Sequence, residues 1–167
     1  MHTGMRQGPE IWLRGPVTTP EPEPPEPAHA HAAARRFSWV GAHGGAGVTT
    51  LATVYGGHDC GRSWPGPGDP PSVLLVARTH AAGLDTVAGA VEIFRRGRAP
   101  QGLDLDAVVL VADAPGRLPR PLAQRVRALE SVIDVYRVPW VPSWRLGEPG
   151  PPPRETGALA RLTGAAR

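Results

Sequence analysis

The chain has 167 residues, with 21 glycines and 21 prolines, which leaves room for a single domain whose globular part, about 110 residues, is enough for one small core. The formal charge of +3 is carried by arginine alone, because the sequence contains no lysine, and it contains no asparagine either. One cysteine, Cys60, excludes an intramolecular disulfide, and no apolar run is long enough to span a bilayer. The N-terminus lacks the apolar segment of a signal peptide, so we expect a cytoplasmic protein.

The absence of lysine and asparagine, in a chain rich in alanine, glycine, proline and arginine, is typical of a GC-rich genome such as that of an actinobacterium. It also restricts the chemistry, because any cation that contacts a phosphate must be an arginine or a protonated histidine. The arginines form no basic stripe and match no nucleic-acid-binding motif, so a nucleic-acid partner is not expected.

Residues 1–36 are predicted to be a disordered, proline-rich tail. Residues 21–27, EPEPPEP, favour an extended polyproline conformation. Trp12 lies between two aliphatic residues within this tail. It either docks on the domain or on a partner, or stays exposed.

The folded domain is predicted over residues 37–147. FSWVGA (37–42) is an apolar strand, a glycine-rich turn follows it, and a short helix begins near Val48. Residues 56–71 are rich in glycine and proline and are predicted to be a loop, which at this length is often functional or disordered. The remaining elements alternate: strands over 72–77, 105–112 and 133–138, and helices over 81–96 and 122–132. Residues 148–167 are predicted to be a second proline-rich tail whose last part forms a marginal helix.

Continuous apolar strands that alternate with helices predict a small three-layer α/β domain with a mainly parallel sheet of about four strands. The carboxyl ends of such strands meet at one edge, where ligands bind. That edge should therefore collect the glycine loop, Arg78–His80, Asp113–Arg120 and Trp140.

The glycine loop, HGGAGVTT at residues 43–50, has the pattern of a phosphate-binding loop, in which glycines let backbone N–H groups point inward at a helix N-terminus. It resembles the deviant Walker A loop of the ParA/MinD family, K-G-G-x-G-K-T-T/S. The matching positions are Gly44, Gly45, Gly47, Thr49 and Thr50. His43 and Val48 stand where the family has its two lysines.

The resemblance implies a P-loop-like fold and a site for ATP or ADP with magnesium. Together with the positions of the strand ends, the resemblance gives a set of candidate cofactor-binding residues: Gly44, Gly45, Ala46, Gly47, Val48, Thr49, Thr50, Arg78, Asp113 and Arg117. The chain departs from the family in being much shorter, in lacking a strand that ends in a Walker B aspartate, and in lacking a D-x-x-G switch segment.

These departures predict that hydrolysis is lost, because it depends on charges that stabilise the transferring phosphoryl group. The loop either still binds a nucleotide or, as we expect, is a strand-to-helix turn that has lost its ligand. Our first hypothesis is a non-catalytic, ParA/MinD-like accessory or interaction module; the resemblance alone suggests plasmid maintenance, conjugative transfer or secretion. The second hypothesis is a nucleotide-binding ATPase-type switch in which an arginine, such as Arg78 or Arg117, replaces the lysine.

Other candidate sites are weaker. His58 and Cys60, in HDC, form a single H-x-C with Asp59 between them, without the paired spacings of metal sites, so no metal ion is predicted. Cys60 as a nucleophile would need a neighbouring base. Trp140 and Trp144 are interpreted as packing over the sheet edge, or as a surface for a protein partner together with Trp12 and the proline-rich tails.

Overall fold

The structure, a computed structural model, describes residues 36–166. The prediction of an N-terminal tail, with Trp12, lies outside these residues except for Arg36. Five strands form one sheet: β1 (Ser38–Gly41), β2 (His58–Asp59), β3 (Ser72–Arg78), β4 (Asp104–Val111) and β5 (Val135–Val138).

Four α-helices connect or follow the strands: α1 (Val48–Tyr55), α2 (Ala81–Arg95), α3 (Arg120–Glu130) and α4 (Gly157–Thr163). Two short 3₁₀ turns, Pro142–Leu146 and Arg154–Thr156, lie between β5 and α4. His80, the residue before α2, caps this helix, because its ring nitrogen accepts a hydrogen bond from the N–H of Gly83 at 2.9 Å. Among the described residues, no helix is long and apolar enough to cross a bilayer.

The strand order is β2-β1-β3-β4-β5, and every neighbouring pair is parallel. This confirms the predicted α/β class with a parallel sheet. The strand that the sequence did not predict is β2, which lies inside the expected loop of residues 56–71. Two backbone hydrogen bonds, from the N–H of His58 to Phe37 and from the N–H of Cys60 to Trp39, hold it on the edge of β1. Two residues are too short to show a periodic pattern.

The two faces of the sheet carry separate cores, because successive side chains of a strand point to opposite faces. One core lies under α1 and α4 and is centred on Trp39, Leu74 and Val109. The other lies under α2 and α3 and is centred on Leu75 and Leu110. Helices therefore cover both faces, which confirms the three layers.

The C-terminal residues correct the prediction of a proline-rich tail from residue 148. Leu159 of α4 is 1 % exposed and packs in the core beside α1. The hydroxyl of Tyr55 donates to Oγ1 of Thr156 at 2.6 Å, and the Thr156 hydroxyl in turn donates to the carbonyl of Pro153 at 2.7 Å. The prolines therefore lead the chain back across the domain, and α4 completes one helical layer.

The strand order creates a crevice between β1 and β3. After β1 the chain moves outward to β2, and it then returns to the other side of β1 as β3. In a parallel sheet of this order, ligands bind at the carboxyl ends of the strands where the direction of winding reverses. Ala42–Gly47 after β1 and Arg78–His80 after β3 lie at this point.

Candidate functional site

The loop after β1 presents a run of free backbone donors. Gly45 and Gly47 have positive φ angles of 75° and 105°, which few residues other than glycine adopt, and they turn the chain into α1. None of the N–H groups of residues 44–50 donates to an acceptor in the part of the chain that the structure describes. Ala46 is nevertheless buried. Successive unpaired N–H groups at a helix N-terminus form a concave surface that attracts anions.

Arg78, the last residue of β3, reaches across to this loop. Its Nε donates to the carbonyl of Gly45 at 3.3 Å, and its Nη1 donates to the carbonyl of Ala112 at 3.0 Å. A Cβ added at Gly47 would lie 3.6 Å from Nη2. No described carboxylate lies within salt-bridge distance of the guanidinium. The charge of Arg78 therefore lies beside the glycine loop with N–H donors left over.

The environment of Arg78 is unfavourable for its own charge. Burial lowers the pKa of Arg78 from its usual value, nearby Arg145 lowers it further, and Asp113 acts in the opposite direction. Arginine remains protonated in proteins in spite of such shifts. A bound anion would offset both the burial and the repulsion between the two arginines.

His43, which stands where the loop of ParA/MinD proteins has its first lysine, joins the glycine loop to β3. Its Nε2 accepts the backbone N–H of Arg78 at 2.9 Å, and its Nδ1 lies 2.9 Å from the carbonyl of Gly44. Because Nε2 must accept, the tautomer with hydrogen on Nδ1 satisfies both contacts. Both ring nitrogens are therefore engaged in joining the loop to β3.

Val48 and Thr49 do not face the crevice. Val48, at the position of the second lysine, is 7 % exposed and packs in the core under α1. The hydroxyl of Thr49, one of the positions that match the ParA/MinD loop, donates to Asp59 of β2 at 2.8 Å. The other carboxylate oxygen of Asp59 accepts the N–H of Gly61. Val48 packs α1 on the sheet, and the exposed Thr49 hydroxyl is engaged by Asp59, so neither residue fits a magnesium ion held beside Arg78.

Thr50 does face the crevice. It lines a cavity of about 110 Å³ whose wall also includes Gly47, Arg78, Trp140 and Arg145. Its hydroxyl makes no hydrogen bond with the described residues. Arg145 lies over the ring of Trp140, with Cζ 4.7 Å from the ring centroid. The cavity thus has two guanidinium groups and a free hydroxyl at the N-terminus of α1.

Asp113 and Arg117 lie in a second, larger cavity. It measures about 540 Å³ and extends from the ends of β4 and β5 to the apolar side of α3, where it meets Leu122 and Val126. Ala112 and Pro139 line both cavities, so the two adjoin. The structure therefore brings Gly47, Thr50 and Arg78 together at the smaller cavity and places Asp113 and Arg117 at its neighbour.

A family model covers residues 36–163, which is most of the chain, and its description is "Family of unknown function (DUF6668)". The chain belongs to the DUF6668 family. Neither a comparison with curated proteins nor one with solved structures found a significant match. The matched range includes α4, so the family domain and the packed core of this DUF6668 chain end at about the same residue.

Sequence reasoning missed Arg145, which the structure places at the smaller cavity of this DUF6668 domain. Arg145 belongs to the 3₁₀ turn Pro142–Leu146, in a segment that carries no periodic pattern. The only local signal was its position directly after Trp144, within the short segment that follows the last strand. The stacking of Arg145 on Trp140 is a tertiary contact that spacing does not encode.

Proposed function

We propose that this protein binds a phosphate-bearing small molecule of nucleotide size at the β1–β3 edge and does not hydrolyse it. The observation that carries the proposal is the guanidinium of Arg78 beside Gly45 and Gly47, next to a run of unpaired N–H groups. The resemblance to ParA/MinD proteins makes ATP or ADP the first candidates, with Arg78 in the role of the missing lysine.

The phosphate end of the ligand belongs at the smaller cavity. Arg78 and Arg145 supply two positive charges there, and Thr50 supplies a hydroxyl donor. Arginine holds phosphate oxygens through paired N–H groups, and such charge-assisted hydrogen bonds are about twice as strong as neutral ones. The N-terminus of α1 adds the positive end of a helix dipole. Together these groups recognise an anion without lysine.

The organic end of the ligand belongs in the larger cavity. Its volume of about 540 Å³ lies within the range of small-molecule sites. Leu118, Leu122 and Val126 provide an apolar wall, and Asp113 and Arg117 provide polar groups at its mouth. A base with hydrogen-bonding edges fits this combination, and the shared wall at Ala112 and Pro139 joins it to the phosphate cavity.

The same geometry argues against hydrolysis. Phosphoryl transfer needs cations on the transferring group and a positioned nucleophile. Val48 supplies no charge and is buried, while the Thr49 hydroxyl is held by Asp59 outside the cavity. The site therefore has the means to hold an anion, whereas Val48 is used in packing and the Thr49 hydroxyl is used in a hydrogen bond to β2.

The proposal is tested by thermal-shift and calorimetric titration of the full chain with ADP, ATP, inorganic phosphate and adenosine. A ligand that binds only the folded state raises the melting temperature in a saturable way. Arg78→Met keeps much of the side-chain length and removes the charge, and it should weaken nucleotide binding at least about 10-fold. Arg127→Met, at an exposed position on α3, is the matched control and should bind as the wild type does.

The outcomes separate the parts of the proposal. Binding of ADP that Arg78→Met abolishes, without release of phosphate from ATP, supports it. Binding of phosphate but not adenosine would place the affinity at the smaller cavity alone. A melting temperature that no phosphate compound changes contradicts the proposal, and so does steady ATP turnover.

The second candidate function is a ParA/MinD-like accessory module that contacts a protein partner without a ligand. The observation that favours it is Leu146, which is 76 % exposed directly after Arg145. With Trp140 under Arg145, this turn forms a surface of the kind found in interfaces. Plasmid maintenance, conjugative transfer and secretion remain the processes that the resemblance suggests. Affinity capture with wild-type chain and with Leu146→Asp tests this candidate, which predicts a partner lost in the variant.

A further inference from the structure

His58 and Cys60 lie on the same side of the β2 edge. They are two residues apart in an extended segment, so their side chains point to one face, and Asp59 points to the other, toward Thr49 of α1. Cys60 is half-buried against the core under α2 and α3, whereas His58 is exposed. One nitrogen and one sulfur donor are thus fixed by the backbone of the strand.

A third donor comes from the glycine- and proline-rich loop of residues 56–71, for which the sequence pattern indicated no specific role. Trp64 packs edge-on against Phe94 of α2, with ring centroids 5.2 Å apart, and this contact anchors the loop. The loop then returns to the sheet, where Oδ2 of Asp69 accepts the N–H of Gly66 at 2.8 Å. The other oxygen, Oδ1, lies 3.1 Å from Nε2 of His58.

We propose that His58, Cys60 and Asp69 form a three-ligand binding site for a divalent transition metal, Zn²⁺ in the first place. One ligand atom from each residue lies within 4.8 Å of the other two. Ligands of a tetrahedral zinc ion lie about 2.0–2.3 Å from the metal, and so about 3.3–3.6 Å from one another. The distance of 3.1 Å between Nε2 of His58 and Oδ1 of Asp69 is close to this value. Small side-chain rotations would bring the sulfur of Cys60 from within 4.8 Å to the same distance.

The donor set and its exposure fit a metal with one open coordination position. Nitrogen, sulfur and carboxylate oxygen together favour zinc over magnesium or calcium, which prefer oxygen alone. Three protein ligands leave a fourth position for water or substrate. Metal binding releases the thiol proton of Cys60, and His58 binds the metal through Nε2 as a neutral ring with its hydrogen on Nδ1.

The hydrogen bonds already present position two of the ligands. The backbone of Cys60 is held by its bond to the carbonyl of Trp39, and the N–H of Gly66 holds the Asp69 carboxylate. Asp59, although adjacent in sequence, is committed to Thr49 and Gly61 on the opposite face. The site is separate from the crevice at Arg78, so this inference does not rest on the proposed phosphate ligand.

Cobalt titration of the reduced full chain tests the proposal, because a cobalt–thiolate bond gives an intense ultraviolet charge-transfer band. Cys60 is the only cysteine of the chain, so such a band can come from no other residue. We expect one equivalent of Co²⁺ to produce the band and Zn²⁺ to remove it by displacement. A cobalt ion bound by histidine nitrogen elsewhere in the chain would not give this band, because the band requires a thiolate ligand.

The variants Cys60→Ser, Asp69→Asn and His58→Ala remove one ligand each. We expect Cys60→Ser to lose the band, and the other two to weaken cobalt binding by at least about 10-fold, the smallest loss seen even for residues that only support metal ligands. Asp134→Asn, at an exposed position just before β5, is the matched control and should titrate like the wild type. No band in the wild type overturns the proposal, and so does a band that neither Asp69→Asn nor His58→Ala weakens.

A measurement on the wild-type chain covers the case in which a variant does not fold. Zinc should slow alkylation of Cys60 by iodoacetamide at least about 10-fold under native conditions, because the thiolate is held by the metal. Magnesium should leave the alkylation rate unchanged. Equal rates with and without zinc contradict the proposal whatever the variants do.

Discussion

Nε of Arg78 donates to the carbonyl of Gly45 at 3.3 Å, so the last residue of β3 holds the loop that follows β1. The backbone N–H of Arg78 donates to the ring of His43, and the two elements are thereby joined twice. The loop and the arginine form one unit at the point where the winding of the sheet reverses. Changes at either strand should therefore affect both the shape of the loop and its charge.

Thr49 and Thr50 are adjacent but should respond in opposite ways to the same substitution. Thr50→Val removes a hydroxyl that lines the smaller cavity and bonds to none of the described residues, so binding at the proposed phosphate site should weaken while stability stays unchanged. Thr49→Val removes the hydrogen bond to Asp59, so stability should fall by up to about 1 kcal/mol while binding stays unchanged. Urea unfolding and calorimetric titration of both variants measure the two effects. Equal binding by both variants would place the ligand elsewhere.

Gly83 of α2 should not tolerate a methyl group. A Cβ there would lie 2.5 Å from the carbonyl oxygen of Arg78 and 2.9 Å from Nε2 of His43. Gly83→Ala should therefore displace the end of β3 and cost about 1–3 kcal/mol, as overpacking does. Gly89→Ala on the same helix meets open space and should stabilise by about 0.5–1 kcal/mol. Denaturant midpoints of the two variants should move in opposite directions, and a shared direction contradicts the packing described.

Tyr55 should give the unfolding free energy a dependence on alkaline pH. Burial raises the pKa of Tyr55 above its ordinary value of 10.0, against the smaller effect of its hydrogen bond to Thr156. The folded state therefore holds the phenol proton more tightly than the unfolded state does. The resulting stability is complete below the ordinary pKa and is lost as pH rises through the raised one.

Tyr55→Phe should remove that alkaline dependence and cost about 1 kcal/mol at neutral pH, because one buried hydrogen bond is lost. Urea unfolding of the variant and the wild type at pH 8 and above measures both effects. Tyr136→Phe, at a half-buried tyrosine on β5, is the control. If Tyr55→Phe keeps the wild-type dependence of stability on alkaline pH, that dependence comes from another group.

Leu159 should be needed for the domain although it lies near the end of the chain. It is 1 % exposed in the core beside α1, so Leu159→Ala should cost about 2–5 kcal/mol. Leu146→Ala, at a position that is 76 % exposed, should change stability by less than about 0.5 kcal/mol. Thermal unfolding of both variants checks this. Equal melting temperatures would mean that α4 does not dock.

Sequence patterns predicted the parts of the fold that depend on burial along a single element. The continuous apolar runs of β3 and β4, and the helical spacing of Leu84, Val87 and Val91 in α2, gave the strands and helices within a few residues. Strand β2 was missed because its two residues are stabilised by pairing with β1 and carry no period of their own. Helix α4 was underestimated because its stability comes from packing against distant residues.

The candidate site also has a part that the sequence could predict and a part that depends on the tertiary structure. The glycines after β1 and the strand end at Arg78 could be predicted to meet, because parallel strands place their carboxyl ends at one edge. That Thr49 faces Asp59 while Thr50 faces Arg78 depends on how α1 is rotated on the sheet. The contribution of Arg145 depends on the path of the chain after β5, which is set by proline-rich segments and by the stacking on Trp140.

By itself, the sequence determined the α/β class, the glycine loop, and the requirement that any phosphate-binding cation be an arginine or a histidine. These follow from local patterning and composition. Only the tertiary structure decided that Arg78 fills the place beside the loop and that Asp69 joins His58 and Cys60. The reason is physical: Arg78 meets the glycine loop through a crossover between two strands, and Asp69 meets His58 through the path of one irregular loop. Both paths depend on packing between elements and not on residue spacing.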